Sequence, residues 1–251
     1  MSHSLRLVGF ILLGVVAAHA QMQVHFGVEA GVPITDTLSS SSTTSVTAAG
    51  SSFSQFHSVT KRLLIGPSLR LDLPKGLGLE FDALYQRVNY DVTNSISVPA
   101  TFLPYAIDEH LFEAVTANRW QFPLLVQYSR SFIKTKLFVE GGPATSTIVN
   151  HSGTLTLNTA VTSVIGTSQA VSNSRFSGQG GTIAGVTAGG GVDLPLFHMH
   201  LRPEFRYSRW FSPSSVAAAT SAIGFSSFLL ATSPSLPIAK NEATFLVGLT
   251  F

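Results

Sequence analysis

The chain has 251 residues, of which 45% are hydrophobic and only 11% charged, with a net charge of +2, 21 glycines and no cysteine. A water-soluble domain carries about a quarter charged residues, and a small net charge without a basic block argues against nucleic acid as a partner. The missing cysteine removes disulfides and thiolate chemistry, and the absence of long apolar runs beyond residue 18 argues against a bundle of membrane helices.

The elements follow in chain order. Arg6 precedes an apolar run from Leu7 to Ala18, short of the roughly 20 residues a spanning helix needs, and Ala18-His19-Ala20 is a small-x-small cleavage site. The expectation is a cleaved signal peptide over 1–20 and one domain over 21–251. Residues 24–32 alternate, with Val24, Phe26, Val28, Ala30 and Val32 on one face and His25, Gly27, Glu29 and Gly31 on the other; a period of two is a strand. A second strand over 63–73 sets Ile65, Leu69 and Leu71 against Arg70 and Asp72, and Pro74-Lys75-Gly76 is a tight turn. The third, 77–90, opposes Leu79, Phe81, Ala83 and Tyr85 to Glu80, Asp82 and Gln86. The fourth, 119–129, places Trp120, Phe122, Leu124, Val126 and Tyr128 opposite Gln121, Pro123, Leu125 and Gln127. In the fifth, Leu137 and Val139 oppose Lys136, Phe138 and Glu140; the sixth is the glycine-rich run 182–194. The seventh, 199–211, sets Leu201, Phe205 and Tyr207 against Arg202, Glu204 and Arg206. The last, 241–251, carries Ala243, Phe245, Val247, Leu249 and Phe251 on one face, with Glu242, Thr244, Leu246, Gly248 and Thr250 on the other.

Short connections alternate with long ones at 33–62, 91–118, 145–181 and 212–240. This alternation predicts an all-β fold, an eight-stranded antiparallel up-and-down transmembrane β-barrel with short periplasmic turns and long outer loops. Charges give a second test. Glu29, Arg70, Asp72, Glu80, Asp82, Lys136, Glu140, Arg202, Glu204 and Arg206 all fall on the less apolar face of their strands. A cation facing lipid at the midplane costs about 2–4 kcal/mol, so these residues are expected to line a polar lumen. Pro67, Pro123 and Pro203 interrupt the pattern and are read as bulges or rim positions.

Three segments carry a family resemblance: Phe26-Gly-Val-Glu-Ala-Gly31, Gly189-Gly-Gly-Val-Asp-Leu-Pro195 and Phe245-Leu-Val-Gly-Leu-Thr-Phe251. With them the chain resembles small bacterial outer-membrane proteins of the OmpA/OmpX type and the related outer-membrane β-barrel domain family. The resemblance implies residence in the outer membrane of a Gram-negative bacterium after export through the periplasm. It also implies periplasmic chaperones, outer-membrane lipid and the barrel-assembly machinery as partners. Phe245, Val247, Gly248, Leu249 and Phe251 stand where that family carries its assembly signal. The resemblance is to the barrel alone, and the peptidoglycan-binding domain of full-length OmpA is not expected.

The lumen charges, Arg70, Lys136, Arg202 and Arg206 against Glu29, Glu80, Asp82, Glu140 and Glu204, are the strongest functional constellation. They suit a static polar plug, since side chains fill the interior of so small a barrel; the alternative is a gate whose pairs exchange partners. His198 and His200 lie at a predicted solvated turn and lack a third ligand for a metal site. His57, His110 and His151 lie in predicted outer loops beside Ser58, Glu109 and Ser152, but no motif fixes a nucleophile and base. No catalytic residue, cofactor or metal is assigned. The loops offer a serine-rich stretch (Ser39–Ser45) expected to be mobile, Thr154–Leu157 as an extended hairpin that would permit ten strands, and the apolar segments Val216–Ala219 and Phe225–Leu230. The sequence therefore points to a non-enzymatic envelope scaffold that engages surface ligands through its loops. A narrow gated pore is the alternative, and a lipid-modifying enzyme the third reading.

Overall fold

The computed structural model describes residues 22–48, 50–59, 62–101, 103–133, 135–178, 180–211 and 239–251. The proposed leader, Val216–Ala219 and Phe225–Leu230 lie outside the described residues. Twelve strands form one sheet: β1 (Gln23–Pro33), β2 (Ser41–Thr47), β3 (Gly50–Ser58), β4 (Leu64–Asp72), β5 (Leu77–Asp82), β6 (Leu84–Val98), β7 (Tyr105–Phe132), β8 (Thr135–Ser163), β9 (Gly166–Gly178), β10 (Thr182–Leu196), β11 (Met199–Trp210) and β12 (Asn241–Thr250). The pairings run β1–β4, then β5 and β6 in line against β4 and β7, then β8, β10, β11, β12 and back to β1, all antiparallel. That circuit closes the sheet into an eight-stranded ring and leaves no edge for lipid to contact.

The wall follows the alternation. Val24, Phe26, Val28, Ile65, Phe81, Leu124, Val126, Val139, Phe205, Phe245, Val247 and Leu249 are exposed on the outside, and most of the intervening residues are buried within. The three short turns each place one non-glycine residue in the left-handed region, Lys75 (φ 66°), Ile133 (φ 58°) and Phe197 (φ 56°).

The prolines are not bulges. Register is the same on both sides of Pro67, where Ile65 opposes Tyr85 and Ser68 opposes Asp82. It is likewise unbroken across Pro123 and Pro203. Each strand runs straight and omits a rung, because proline lacks the donor but keeps its acceptor; the Ala83 amide still donates to the Pro67 carbonyl (3.0 Å).

Three of the expected long loops are instead sheet. β7 has 28 residues and β8 has 29, whereas a barrel strand needs roughly 9–11 to cross the bilayer. The excess of β6, β7 and β8 continues above the membrane, with the β2–β3 hairpin added to β6 and β9 added to β8. The serine-rich stretch is part of that hairpin, and Thr154–Leu157 pairs with β9, so the extra strands extend the wall without entering the ring. One bulge marks the transition, where Thr116 and Asn118 oppose Ser152 and Val149. Asn150 takes up the extra residue at φ 52°, a conformation asparagine tolerates better than most residues.

Candidate functional site

The lumen is filled in layers. Arg206, on β11, is the hub of the main layer. Its Nη1 donates to Asp82 Oδ2 (2.6 Å), its Nη2 to Glu80 Oε1 (2.6 Å) and Glu29 Oε1 (3.4 Å), and its Nε to Glu140 Oε1 (2.7 Å). Glu204 Oε1 also lies 2.6 Å from Nε, in ion-pair range but off the N–H direction. Arg202 donates through Nη1 to Glu80 Oε2 (2.6 Å), so Glu80 bridges the two guanidiniums, and Arg202 stacks 4.3 Å over the Phe138 ring. All seven charged residues are buried. The glycine-rich run of β10 makes this possible: a Cβ at Gly189 would press on Arg206 Cγ, and one at Gly191 on the Phe138 ring.

The period-two pattern placed Glu29, Glu80, Asp82, Glu140, Arg202, Glu204 and Arg206 on one face, and the structure brings them together. Arg70 is buried elsewhere, nearer the short turns, with its Nε 2.9 Å from Asp72 and its Nη1 donating to Asp193 (3.3 Å). Lys136 is half-buried at that end, in register with Asp193 and outside the Arg206 cluster. His198 sits exposed in the turn, and His200 is part-exposed, with its Nδ1 2.6 Å from Asp193 Oδ1 and its ring edge-on to His25.

Above the main layer Leu64, Leu84 and Leu246 form an apolar layer, beside a cavity of about 10 Å³, space for about one water. A second ion pair follows. Arg119 donates to both carboxylate oxygens of Glu242 (3.0 and 2.8 Å) and to Ser146 Oγ (2.7 Å), with Trp210 Nε1 donating to Glu242 (3.3 Å). Neither Arg119 nor Glu242 was among the expected lumen charges, although each shares strand parity with a lumen residue, Gln121 and Thr244. Higher still, Val88, Tyr90, Val92, Leu111, Val115, Ile148, Leu155 and Phe176 belong to a continuous apolar core.

His110 and His151 assemble no acid–base or nucleophile–base pair with their chain neighbours Glu109 and Ser152. His110 is exposed while Glu109 is buried, and His151 is buried while Ser152 is exposed, because adjacent residues of a strand face opposite ways. Burial in apolar surroundings lowers the pKa of His151, and neither ring nitrogen has a hydrogen-bond partner. Glu29, Glu80 and Glu204 bring carboxylate oxygens within 4.8 Å of one another, but the guanidiniums of Arg202 and Arg206 already supply the positive charge a cation would bring. On β12, Phe245, Val247 and Leu249 face outward and Gly248 faces the lumen between Glu29 and Arg202; Phe251, just past the strand, is exposed.

Residues 19–215 match the family model described as outer membrane protein beta-barrel domain. No curated protein matches the sequence. Among solved structures, the chain is similar to the crystal structure of Neisserial surface protein A (NspA), at 12% identity and a TM-score of 0.32, over 91% of this chain and 97% of that one.

Proposed function

The chain belongs to the outer membrane protein beta-barrel domain family and is a protein of the outer membrane, and from that premise we propose that it is a non-catalytic envelope scaffold. In this reading the filled barrel anchors a stiff β-sheet that meets surface partners beyond the lipid. The observation that carries it is the Arg206 hub: five carboxylates from four other positions of the wall and its own strand converge on one buried guanidinium. That knot ties β1, β5, β8 and β11 across the bore and, in this reading, closes it to solute. The sheet of β2, β3, β6, β7, β8 and β9 is then the part free to present a surface. The outward aromatic and aliphatic residues of β12 suit engagement by the assembly machinery and chaperones before the ring closes.

The test is single-channel recording from the folded protein in a planar bilayer, with closure verified by its shifted mobility on an unboiled gel. Silence across a range of salt concentrations is expected. Discrete openings that change with Arg202→Gln would make the network a gate and overturn the scaffold reading in favour of a narrow pore.

A further inference from the structure

Outside the lumen, the wall changes character abruptly at one height. On β5, β6 and β7 the outward residues Phe81, Tyr85, Trp120 and Phe122 form a connected aromatic band, with Tyr85 and Trp120 rings 5.3 Å apart and Trp120 and Phe122 6.2 Å apart. Aromatic girdles of this kind sit at the level of the lipid headgroups. The next outward residues are Asn118, which accepts a hydrogen bond from Tyr85 Oη (2.7 Å), and its register partner Arg87. Directly above, beside the bulge between β7 and β8, the outer face opens into a pocket of about 560 Å³. Its polar lining includes Arg87, Asn89, Asp91, Thr116, Thr154 and Arg175.

From these observations we propose that this pocket binds the phosphorylated headgroup of an outer-leaflet glycolipid, with Arg87 and Arg175 each taking one phosphate. Both arginines are exposed, and among the described residues neither guanidinium has an ion-pair or hydrogen-bond partner. Arg175 shares a register row with Thr154, Ala114 and Asp91, and Arg87 lies four residues below Asp91. That is three strand spacings across and four residues down, roughly 20 Å between Cα atoms on a flat sheet. Two cations so far apart do not converge on one small anion; they match a headgroup with anionic groups at both ends. Between them Asn89, Thr116 and Thr154 offer neutral donors and acceptors, and Asp91 accepts from hydroxyls while repelling a third anion, which suits a sugar core. The aromatic band lies where the acyl chains of that lipid would descend, and guanidinium binds phosphate in a two-pronged fork. The same chemistry in a free phosphate would lack that second, apolar contact.

The test uses the folded protein in neutral detergent, titrated with diphosphorylated lipid A, with the same lipid dephosphorylated, and with inorganic phosphate. Trp120 fluorescence and native mass spectrometry give the readouts. Diphosphorylated lipid A is expected to bind, to weaken with added salt, and to lose about tenfold in affinity with either Arg87→Gln or Arg175→Gln. Arg130→Gln, an exposed charge at the opposite end of β7, is expected to change nothing. Equal binding of the dephosphorylated lipid, affinity unchanged in both variants, or inorganic phosphate binding as tightly as the lipid would each overturn the assignment. The comparison of lipids needs only the wild-type protein, so it decides the matter even where a variant fails to fold.

Discussion

Replacing Arg206 by methionine tests how the barrel is held closed. Its guanidinium lies 2.6–3.4 Å from Glu29, Glu80, Asp82, Glu140 and Glu204, and every one of these groups is buried. Only Glu80 keeps a second short cationic contact, to Arg202. Removing one partner of a single buried pair costs about 3–5 kcal/mol, because the remaining charge is left without compensation. Here four acids lose their short contact at once, while relaxation and water entry limit the sum, so a loss of about 4 kcal/mol or more is expected. Five carboxylates against two guanidiniums also impose an asymmetry. Glu204→Gln thins the acid excess and leaves Arg206 its other partners, so it should stay within about 1 kcal/mol of wild type. Urea unfolding of the barrel in phospholipid vesicles, followed by Trp120 and Trp210 fluorescence, measures both, with an unchanged m value showing that the same surface is exposed. An R206M midpoint equal to wild type, or an E204Q loss as large as that of R206M, would refute the hub.

Two further outcomes follow from the layers above. Arg119→Leu and Glu242→Leu should each cost about 3–5 kcal/mol, whereas the double variant should recover most of it, because this bidentate pair lies between two apolar layers; losses that simply add would show the pair is not the unit. Burial raises the pKa of Glu113, in the sheet above the membrane, from 4.5, so its stabilising contribution is full below the unfolded value and lost as pH rises through the folded one. Glu113→Gln should therefore flatten the decline in unfolding midpoint over that window, and parallel wild-type and variant profiles would rule this out.

The eight wall strands were legible because a bilayer sorts their two faces severely. Phe81 and Tyr85 face outward while Glu80 and Asp82 face the bore, so hydropathy alternates with full amplitude. The outer sheet was illegible for a related reason. At the headgroup level the pattern inverts: Arg87, Asn89 and Asp91 now face water, and Val88, Tyr90 and Val92 pack inward. A strand that stays straight through this inversion reads, residue by residue, as one that has ended, so the periodicity ends the third predicted strand at Tyr90 and begins the fourth at Arg119. Arg119 was lost for the same reason, being an inward charge at the point of inversion. Strand parity with Gln121 was the signal that could have retained it.

That inversion also locates what the barrel has left to offer. Below it, the inside carries charge and the outside carries apolar side chains, the arrangement lipid demands. Above it, the inside is mainly apolar, with Glu109, Glu113 and His151 buried among the hydrocarbon, and the outside is polar, nearer the arrangement of a soluble protein. In the proposed scaffold reading, an interior filled with paired ions at one level and packed hydrocarbon at the next closes the bore, and recognition falls to the outer surface. There the pocket with two cations that have no partner among the described residues, at Arg87 and Arg175, lies at the step between the two regimes. A ligand that is itself apolar at one end and charged at the other, and is held by the membrane at that height, is the one whose chemistry matches both sides of the step.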